Sequence, residues 1–434
     1  MFQPKCVATT STTQEGQKVE DSVDLTKNTS ESHYKSVQWC EDQGSSNVSR
    51  LTRFRASDGT SLIACPADNS IQTFIVPPNL LEETGQPHCL SPYCSIPSTE
   101  PVNAVVGYPH FSLEDPSTAL VLSSMRDHPI RLNSALTGHL GASYPLVNPT
   151  TEAYICPHSL IFTTQGDRFV AGSESLISVF DLSRPGQEPI TAVPTGPKRR
   201  NSTDYSATVN MRGIISALSV DPATGVLAAG TYGRQVGLYD AMGAGECVGV
   251  FSVQGTASDA QIGGSGITQV AWSPCGRYLY IAERKSDGVI IYDIRKTGQM
   301  LAWLEGRKSQ TNQRLGVDLI RTDDQGGHAI WAGGLDGFVR RWKDPHICEG
   351  PVSAGFEFKA HDGKKPHTPM VELSANITTD VVSGVVAHHG GGVLATVSGQ
   401  RHFDPGLGEG QSSGLAIDNS LKIWTLEGCD TNGS

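Results

Sequence analysis

The sequence lacks several patterns that identify common classes of protein. No apolar run approaches the roughly 20 residues that a membrane-spanning helix needs, and residues 1–20 contain no apolar core like that of a signal peptide. The ten cysteines form no Cys-x-x-Cys pair and no even framework. We therefore expect no membrane span, no disulfide framework and a reducing compartment, which is the cytosol or the nucleus.

The motifs of common catalytic and nucleotide-binding sites are also missing. There is no His-Glu-x-x-His, no Gly-x-Ser-x-Gly and no pair of carboxylates with a supporting histidine at a recognisable spacing. The glycines at 243–249 lack the preceding strand and following helix of a dinucleotide site, and residues 254–266 lack phosphate-loop spacing. We expect a protein that is not an enzyme and that uses no cofactor and no small-molecule substrate.

Histidine and cysteine do not recur at the spacing of a metal site. His88, Cys89 and Cys94 have unmatched spacing. A second group lies in the loop after residue 342 and consists of His346, Cys348, His361 and His367. Nothing places four of these ligands tetrahedrally, so we expect no metal and interpret the second group as part of a solvated surface loop.

The chain is acidic and rich in turn-forming residues. Its net charge of -11 argues against a protein that coats nucleic acid indiscriminately, although a local basic face remains compatible with it. With 47 glycines and 25 prolines, the composition is typical of a turn-rich β protein.

Short apolar runs separated by turns are the main positive feature. In the stretch 265–298, runs at 267–272, 278–282 and 289–292 are separated by a Ser-Pro-Cys-Gly turn and by a polar cluster. No run is long enough for a stable helix, so the stretch predicts three antiparallel strands. Such a meander cannot bury both its faces alone and needs copies of itself.

A seven-residue signature supplies those copies. It consists of a small or acidic residue, two variable positions, an aliphatic residue, two more variable positions and usually an aromatic residue. The copies begin at residues 68, 127, 174, 233, 286, 336 and 418. Seven meanders of about forty residues, with insertions, predict an all-β fold, a seven-bladed β-propeller of the WD40 type. The Gly-His and Trp-Asp dipeptides of that repeat are largely missing, so the repeats are degenerate.

We expect one folded domain. Residues 1–33 are polar and predict a disordered N-terminal tail, residues 34–426 the propeller, and residues 427–434 a flexible C-terminal tail. In closed propellers an N-terminal strand often completes the last blade. Val37, Gln38 and Trp39, within 35–40, are the candidate for that strand, and the alternative is a local hydrophobic loop.

Two sets of signature residues have structural interpretations. The aromatic residues that end third strands predict core packing between blades; they are Phe74, Phe180, Tyr239, Tyr292, Trp342 and Trp424. The turn aspartates predict hydrogen bonds that hold the turns and adjacent strands; they are Asp68, Asp127, Asp336 and Asp418.

Several segments together resemble a known family. They are 213–217 (GIISA), 230–239 (GTYGRQVGLY), 266–270 (GITQV), 282–285 (AERK), 293–295 (DIR), 311–314 (TNQR) and 396–401 (TVSGQR). Across roughly 48–424 the sequence resembles the telomerase Cajal body protein family of WD-repeat proteins, including its fungal, splicing-associated branch. The resemblance implies a nuclear, RNA-associated scaffold for small nuclear ribonucleoproteins, with small nuclear or telomerase RNA and spliceosomal proteins as partners.

The residues offer a separate reason to expect RNA binding. In a propeller the turns between second and third strands and the connections between blades emerge on one face. That face is predicted to carry Arg126, Lys198, Arg199, Arg200, Tyr232, Arg234, Arg284, Lys285, Arg307, Lys308, Arg314 and Arg401. Cations suit phosphates, and an aromatic or guanidinium plane suits an unpaired base.

Two other interpretations of these residues stay open. Exposed turns often carry Arg and Lys beside acidic partners such as Asp127, Glu283 and Asp336. The protein could also be an adaptor that assembles a multiprotein complex without RNA. For the RNA-binding scaffold we expect the nucleus, with the cytoplasm as a further location.

Overall fold

The fold consists almost entirely of short strands. The computed structural model describes residues 4–11, 33–40, 61–196, 211–296, 298–323, 326–362, 380–399 and 418–426. The helical segments among them are α1 (Asp259–Ile262) and the 3-10 turns Ala241–Gly243, Ile294–Lys296 and Pro345–Ile347. No helix in these ranges is long and apolar enough to cross a membrane.

The strands follow one another in chain order with turns between them. The first ten are β1 (Lys5–Thr9), β2 (Tyr34–Cys40), β3 (Ser61–Pro66), β4 (Ile71–Ile75), β5 (His88–Cys89), β6 (Cys94–Ile96), β7 (Val102–Gly107), β8 (Leu120–Met125), β9 (Ile130–Ser134) and β10 (Leu140–Tyr144). The next ten are β11 (Ser159–Phe162), β12 (Arg168–Ser173), β13 (Leu176–Asp181), β14 (Thr191–Pro194), β15 (Ile215–Val220), β16 (Leu227–Thr231), β17 (Gln235–Tyr239), β18 (Cys247–Ser252), β19 (Ile267–Trp272) and β20 (Tyr278–Glu283). The last ten are β21 (Val289–Asp293), β22 (Met300–Leu304), β23 (Val317–Arg321), β24 (His328–Gly333), β25 (Phe338–Lys343), β26 (Gly350–Val352), β27 (Phe356–Lys359), β28 (Val382–Ala387), β29 (Val393–Ser398) and β30 (Leu421–Thr425).

These strands form seven sheets, which confirms the seven-bladed propeller. From the inner strand outward, blades 1 to 4 are β2-β3-β4-β6, β7-β8-β9-β10, β11-β12-β13-β14 and β15-β16-β17-β18. Blades 5 to 7 are β19-β20-β21-β22-β26, β23-β24-β25-β27 and β28-β29-β30-β1-β5. We call the face with the second-to-third-strand turns and the inter-blade connections the upper face, and the opposite one the lower face.

The core lies between neighbouring blades. Val236 and Leu238 of blade 4, for example, belong to the same buried cluster as Val270 and Leu279 of blade 5. The aromatic residues of the signature are all buried, with exposures from 0% for Phe74 to 9% for Trp424, which confirms their core assignment. The apolar, largely β-branched strands therefore pack on both faces of each sheet.

The ring is closed by a different strand from the one that the sequence suggested. Lys5–Thr9 pairs antiparallel with Leu421–Thr425 and completes blade 7. Tyr34–Cys40 instead pairs with Ser61–Pro66 as the innermost strand of blade 1. The candidate closing strand at 35–40 was therefore wrong, and so was the disordered assignment of Lys5–Thr9. Burial of Val7 and Ala8 explains why this short segment is ordered.

A hydrogen-bonded chain of side chains ties the strands of blade 7 together. Trp424 Nε1 donates to Thr396 Oγ1 at 2.9 Å, Thr396 lies 2.8 Å from His361 Nε2, and His361 Nδ1 lies 3.2 Å from Asp418 Oδ2. A neutral His361 satisfies every link if Nδ1–H donates to the carboxylate and Nε2 accepts from the hydroxyl. Burial lowers the pKa of His361, which favours this neutral form. His361 is thus a core residue, and its assignment to a solvated loop was wrong.

The four turn aspartates have different surroundings. Asp418 is paired with Lys422. Although burial opposes it, the hydrogen bond from His361 and the hydrogen bond and charge of Lys422 hold the pKa of Asp418 well below its usual range. Asp68 accepts from the Ser70 backbone at 2.8 Å. Asp336 accepts from Arg340 at 2.6 Å. The described contacts of Asp127 amount to an exposed ion pair with its neighbour Arg126 at 3.7 Å.

Ring closure can be tested with one charge placed at two positions of β1. Ala8→Glu puts a carboxylate at a site with 0% exposure, whereas Lys5 is exposed. We expect Ala8→Glu to lower the free energy of unfolding by about 3 kcal/mol or more, and Lys5→Glu by less than about 0.5 kcal/mol. Denaturant unfolding checks both values. Equal effects of the two variants would contradict the closure by β1.

The role of Asp418 predicts a pH-dependent loss of stability. Because its folded pKa lies below its unfolded value, Asp418 stabilises the fold above pH ~4 and loses this contribution as the pH falls further. At neutral pH we expect Asp418→Asn to lower the free energy of unfolding by roughly 1.5–3 kcal/mol. Asp127→Asn, whose side chain is 77% exposed, is the matched control and should change it by less than about 0.5 kcal/mol. A control effect as large as that of Asp418→Asn would rule out the explanation.

Candidate functional site

The candidate RNA-binding residues divide into groups once the fold is known. Four of them, Lys198, Arg199, Arg200 and Arg401, lie outside the described residues. The other eight belong to upper turns or connections, as expected from the strand order. Their surroundings, described next, separate side chains that can meet a ligand from side chains that hold the protein together.

Arg234 is a structural anchor rather than a free cation. Its Nε and Nη2 donate to the two oxygens of Glu283 at 2.6 and 2.8 Å. Nη2 and Nη1 also donate to Asp259 at 2.5 and 3.3 Å. Burial raises the pKa of Glu283, and the adjacent guanidinium opposes that rise. With two carboxylates on one guanidinium, this side chain joins blades 4 and 5, and the RNA contact of Arg234 stays a prediction.

Glycines make this close approach possible. A Cβ on Gly264 would lie 2.3 Å from Glu283 Oε2 and 2.7 Å from Arg234 Nη2. A Cβ on Gly266 would lie 2.8 Å from Arg284 Nη2 and 3.0 Å from the Tyr232 carbonyl oxygen. The glycine-rich connection before β19 is therefore a packing surface for two arginines.

Arg284 and Tyr232 form an aromatic and guanidinium stack beside this anchor. The guanidinium carbon of Arg284 lies 4.1 Å from the centre of the Tyr232 ring, the geometry of a cation–π contact. Both side chains are half-buried, and Arg284 Nε is buried without a hydrogen-bond partner in the described structure. The turn continues into Lys285, which is exposed. This junction thus offers a flat cationic surface and an exposed ammonium group together.

Two further cations are exposed but have acidic neighbours. Arg126 is 68% exposed beside Asp127 on blade 2. Lys308 is 66% exposed and lies 3.3 Å from Asp336 between blades 5 and 6. Exposed pairs of this kind are weak, so both groups can exchange their partner for a phosphate.

Arg307 has no access to a ligand. Its exposure is 1%, and its guanidinium donates to the carbonyl oxygens of Gly333, Leu315 and Gly316 at 3.2, 2.8 and 3.3 Å. Burial lowers the pKa of Arg307 to about 10. The described donors of Arg307 are used inside the protein, and its RNA contact stays a prediction that this burial does not favour.

The segment after Arg307 crosses the upper end of the ring. Arg314 Nη2 donates to the Ser216 carbonyl of blade 4 at 2.6 Å, and Gln313 Nε2 donates to the Gly399 carbonyl of blade 7 at 2.7 Å. Gln310 Nε2 reaches Asp287 of blade 5 at 2.9 Å. We call residues 309–316 the strap. Arg314 remains exposed, so it links blades and still faces solvent.

The lower face contains a histidine cluster that the spacing did not reveal. His328, Asp344 and His346 each place one potential ligand atom within 4.8 Å of the others. The two imidazoles are stacked at 4.3 Å with an interplanar angle of 14°. A metal would have to lie near both ring planes, which a stacked pair does not allow. His328 also contacts Tyr280 Oη and the Gly326 carbonyl, as a structural histidine does.

The sequence identified the cations of the upper face. It did not identify the residues that pair with some of these cations or hold the strap in place. Glu283 was noted only as an acidic neighbour, and Asp259 was not considered. Both are recognisable in retrospect only as acids near Arg234 in neighbouring turns. Gln310 and Gln313 carry no charge, and only their contacts show their role.

Comparisons with known proteins show which proteins this chain is similar to. No family model matches it. It is 31% identical to the guanine nucleotide-binding protein negative regulator 1 of Schizosaccharomyces pombe, over 67% of this chain and 70% of that protein. It is 30% identical to the telomerase Cajal body protein 1 of Homo sapiens, over 83% of this chain and 59% of that protein. It is 29% identical to the telomerase Cajal body protein 1 of Mesocricetus auratus, over 86% of this chain and 63% of that protein.

The match covers most of this chain but only part of the mammalian proteins. The chain spans less than two thirds of the length of each of these two mammalian relatives. The chain therefore belongs to the telomerase Cajal body protein family of WD-repeat proteins.

Proposed function

We propose that the protein is a non-catalytic, RNA-binding scaffold of the nucleus. It binds small nuclear RNA of the Cajal body type and holds it together with ribonucleoprotein or spliceosomal proteins. This places it in pre-mRNA splicing and in the handling of small nuclear or telomerase RNA. The names of the mammalian relatives support a location in a nuclear body. The cations of the upper face support RNA binding.

The observation that carries the RNA proposal is the junction of blades 4 and 5. The Arg284–Tyr232 stack presents a cationic plane, and Lys285 presents a free charge beside it. An unpaired base can stack on such a plane, while a phosphate meets the ammonium group. The anchor formed by Arg234, Glu283 and Asp259 fixes both turns, so little conformational entropy is lost on binding.

The alternative function is an adaptor that binds proteins only. The name of the fission yeast relative describes regulation of a guanine nucleotide-binding protein, which is a protein partner. The carboxylates that neutralise Arg234 and Arg340 also make the upper face less basic than its arginine count suggests. An adaptor would leave RNA unbound, so one experiment separates the two functions.

We predict that crosslinking the tagged protein to RNA in cells recovers small nuclear RNAs. The double variant Arg284→Ala with Lys285→Ala should lose most of that RNA because it removes a stacking plane and a phosphate contact. The matched control is Arg168→Ala with Arg184→Ala, which removes two exposed cations from lower turns of blade 3. Sequencing the recovered RNA is the measurement. If the wild-type protein recovers no more RNA than the background, the result would support the adaptor function.

Binding of the recovered RNA to purified protein gives the magnitudes. Tyr232→Ala should cost roughly 1–3 kcal/mol, the range for one stacked base. Lys285→Ala should lower the slope of log affinity against log salt by about one. Equal losses in the lower-face control would show that the RNA site is elsewhere.

A further inference from the structure

The outer edges of the blades differ in what covers them. Blades 5 and 7 each have a fifth strand, contributed by the next blade along the ring, that pairs in parallel with the outer strand: β26 with β22, and β5 with β1. Each brings an apolar side chain to the edge; Val352 of β26 lies opposite Leu304, and Leu90, just after β5, is buried. These two blades show that an outer edge of this propeller accepts a short extended segment that runs parallel to it.

Most of the other outer strands have features that hinder such pairing. Strand β6 has three residues, β14 contains Pro194, and β27 carries the charges Glu357 and Lys359. On β10 the Ser143 carbonyl already accepts from the Gly186 backbone N–H of blade 3 at 2.8 Å. Among the described outer strands, β18 of blade 4 is left as an edge that is neither covered nor protected in these ways.

Strand β18 combines length with a neutral and largely apolar sequence. Its six residues, CVGVFS, include no charge and no proline. Val248 is 66% exposed. A Cβ on Gly249 would meet no atom within 4 Å, so a neighbouring strand has room for a side chain there. An open edge of this composition pairs readily with a further strand.

The backbone groups of two residues on this edge point away from blade 4. The Val253 N–H donates to the Arg234 carbonyl at 3.0 Å, at the end of the β17–β18 ladder. Because bonded and non-bonded pairs alternate along an antiparallel ladder, the N–H and C=O groups of Val250 and Ser252 are directed outward. Among the described residues, no other segment bonds to these groups. They are the groups to which a fifth strand would bond.

The neutral edge favours a protein segment over the other possible occupants. Because β18 has no charge, backbone bonds and apolar contact select what binds there, and a nucleic acid offers no peptide backbone to extend the ladder. A second copy of the chain fits less well. Two β18 strands related by a twofold axis would form an antiparallel ladder, whereas both fifth strands of this propeller are parallel.

We propose that the outer edge of β18 is a docking site for an extended, uncharged segment of a partner protein, which adds in parallel as the fifth strand of blade 4. The backbone of the segment bonds to Val250 and Ser252, and one of its aliphatic side chains covers Val248. The proposal does not rest on RNA binding, because β18 is the outer strand of blade 4 and contains neither Tyr232 nor Arg284.

Fluorescence anisotropy with a labelled peptide tests the proposal. The probe is a neutral peptide of alternating Val and Thr. One comparison peptide has its central backbone nitrogens methylated, and a second carries Ala in place of Val. We expect wild-type protein to bind the probe, to bind the Ala peptide more weakly and to lose the methylated peptide, which cannot donate to the edge. Added salt should change the affinity less than about twofold because the edge is neutral.

Paired variants make the outcome specific to this edge. Ser252→Pro removes an outward N–H of β18 and should weaken binding about fivefold or more. The matched control is Ala192→Pro, at an exposed position on the same side of β14 as Pro194, and it should change the affinity less than about twofold. Val248→Ala should weaken binding of the Val peptide, whereas Leu140→Ala, which shortens an exposed side chain on blade 2, should not.

Thermal unfolding confirms that all variants fold. Failure of the wild type to bind the Val peptide, or equal losses in the two proline variants, would overturn the proposal. A concentration-dependent dimer in sedimentation velocity that Ser252→Pro abolishes would assign the edge to a second copy instead. Arg284→Ala with Lys285→Ala should leave peptide binding unchanged, so a failure of the RNA proposal can be told apart from a failure of this one.

Discussion

Ring closure is the constraint on which the rest of the structure depends. Each blade buries its two faces only against its neighbours, so an open ring would leave two apolar faces in water. The chain closes the ring by joining its two ends, with Lys5–Thr9 against Leu421–Thr425. Val7 and Ala8 share a buried cluster with Leu62 and Phe74 of blade 1, so this strand also seals the last junction.

The same constraint explains why many charges of the upper face are inside the protein. Neighbouring turns and connections must be held at fixed distances. Among the described residues, no backbone hydrogen-bond ladder joins one blade to the next there, so long side chains with several donors hold them together. Arg234 joins blades 4 and 5, and Arg307 ties the connection after blade 5 to blade 6 through carbonyl oxygens. Arginine supplies several fixed donors at once, which suits it to such joints. Cations used in this way already have partners inside the protein.

The fold was predictable because its signals are local. The runs at 267–272, 278–282 and 289–292 match strands β19, β20 and β21 to within one residue, since turn chemistry marks both ends of each strand. Lys5–Thr9 was not predictable in the same way. Its partner lies at the other end of the chain, and its two buried side chains give no periodic pattern in a polar tail.

The candidate site was predictable in type but only partly in its members. Spacing placed Arg234, Arg284 and Arg307 on one face, and the strand order agrees. Spacing does not show which carboxylate or carbonyl each guanidinium meets, because those partners come from other blades. Glu283, which accepts a hydrogen bond from Arg234, lies 49 residues away in sequence. His361 was misassigned for the same reason, since its partners Thr396 and Asp418 lie in other strands and turns.

The strap decides where on the upper face a ligand can bind. Because residues 309–316 contact blade 4 through Ser216, blade 5 through Asp287 and blade 7 through Gly399, they cover the upper end of the ring. A ligand on this face therefore binds to the turns around the strap. The Arg284–Tyr232 stack lies among those turns, next to the joint made by Arg234. A rigid joint beside a half-buried stack keeps the cationic plane in place before any ligand arrives.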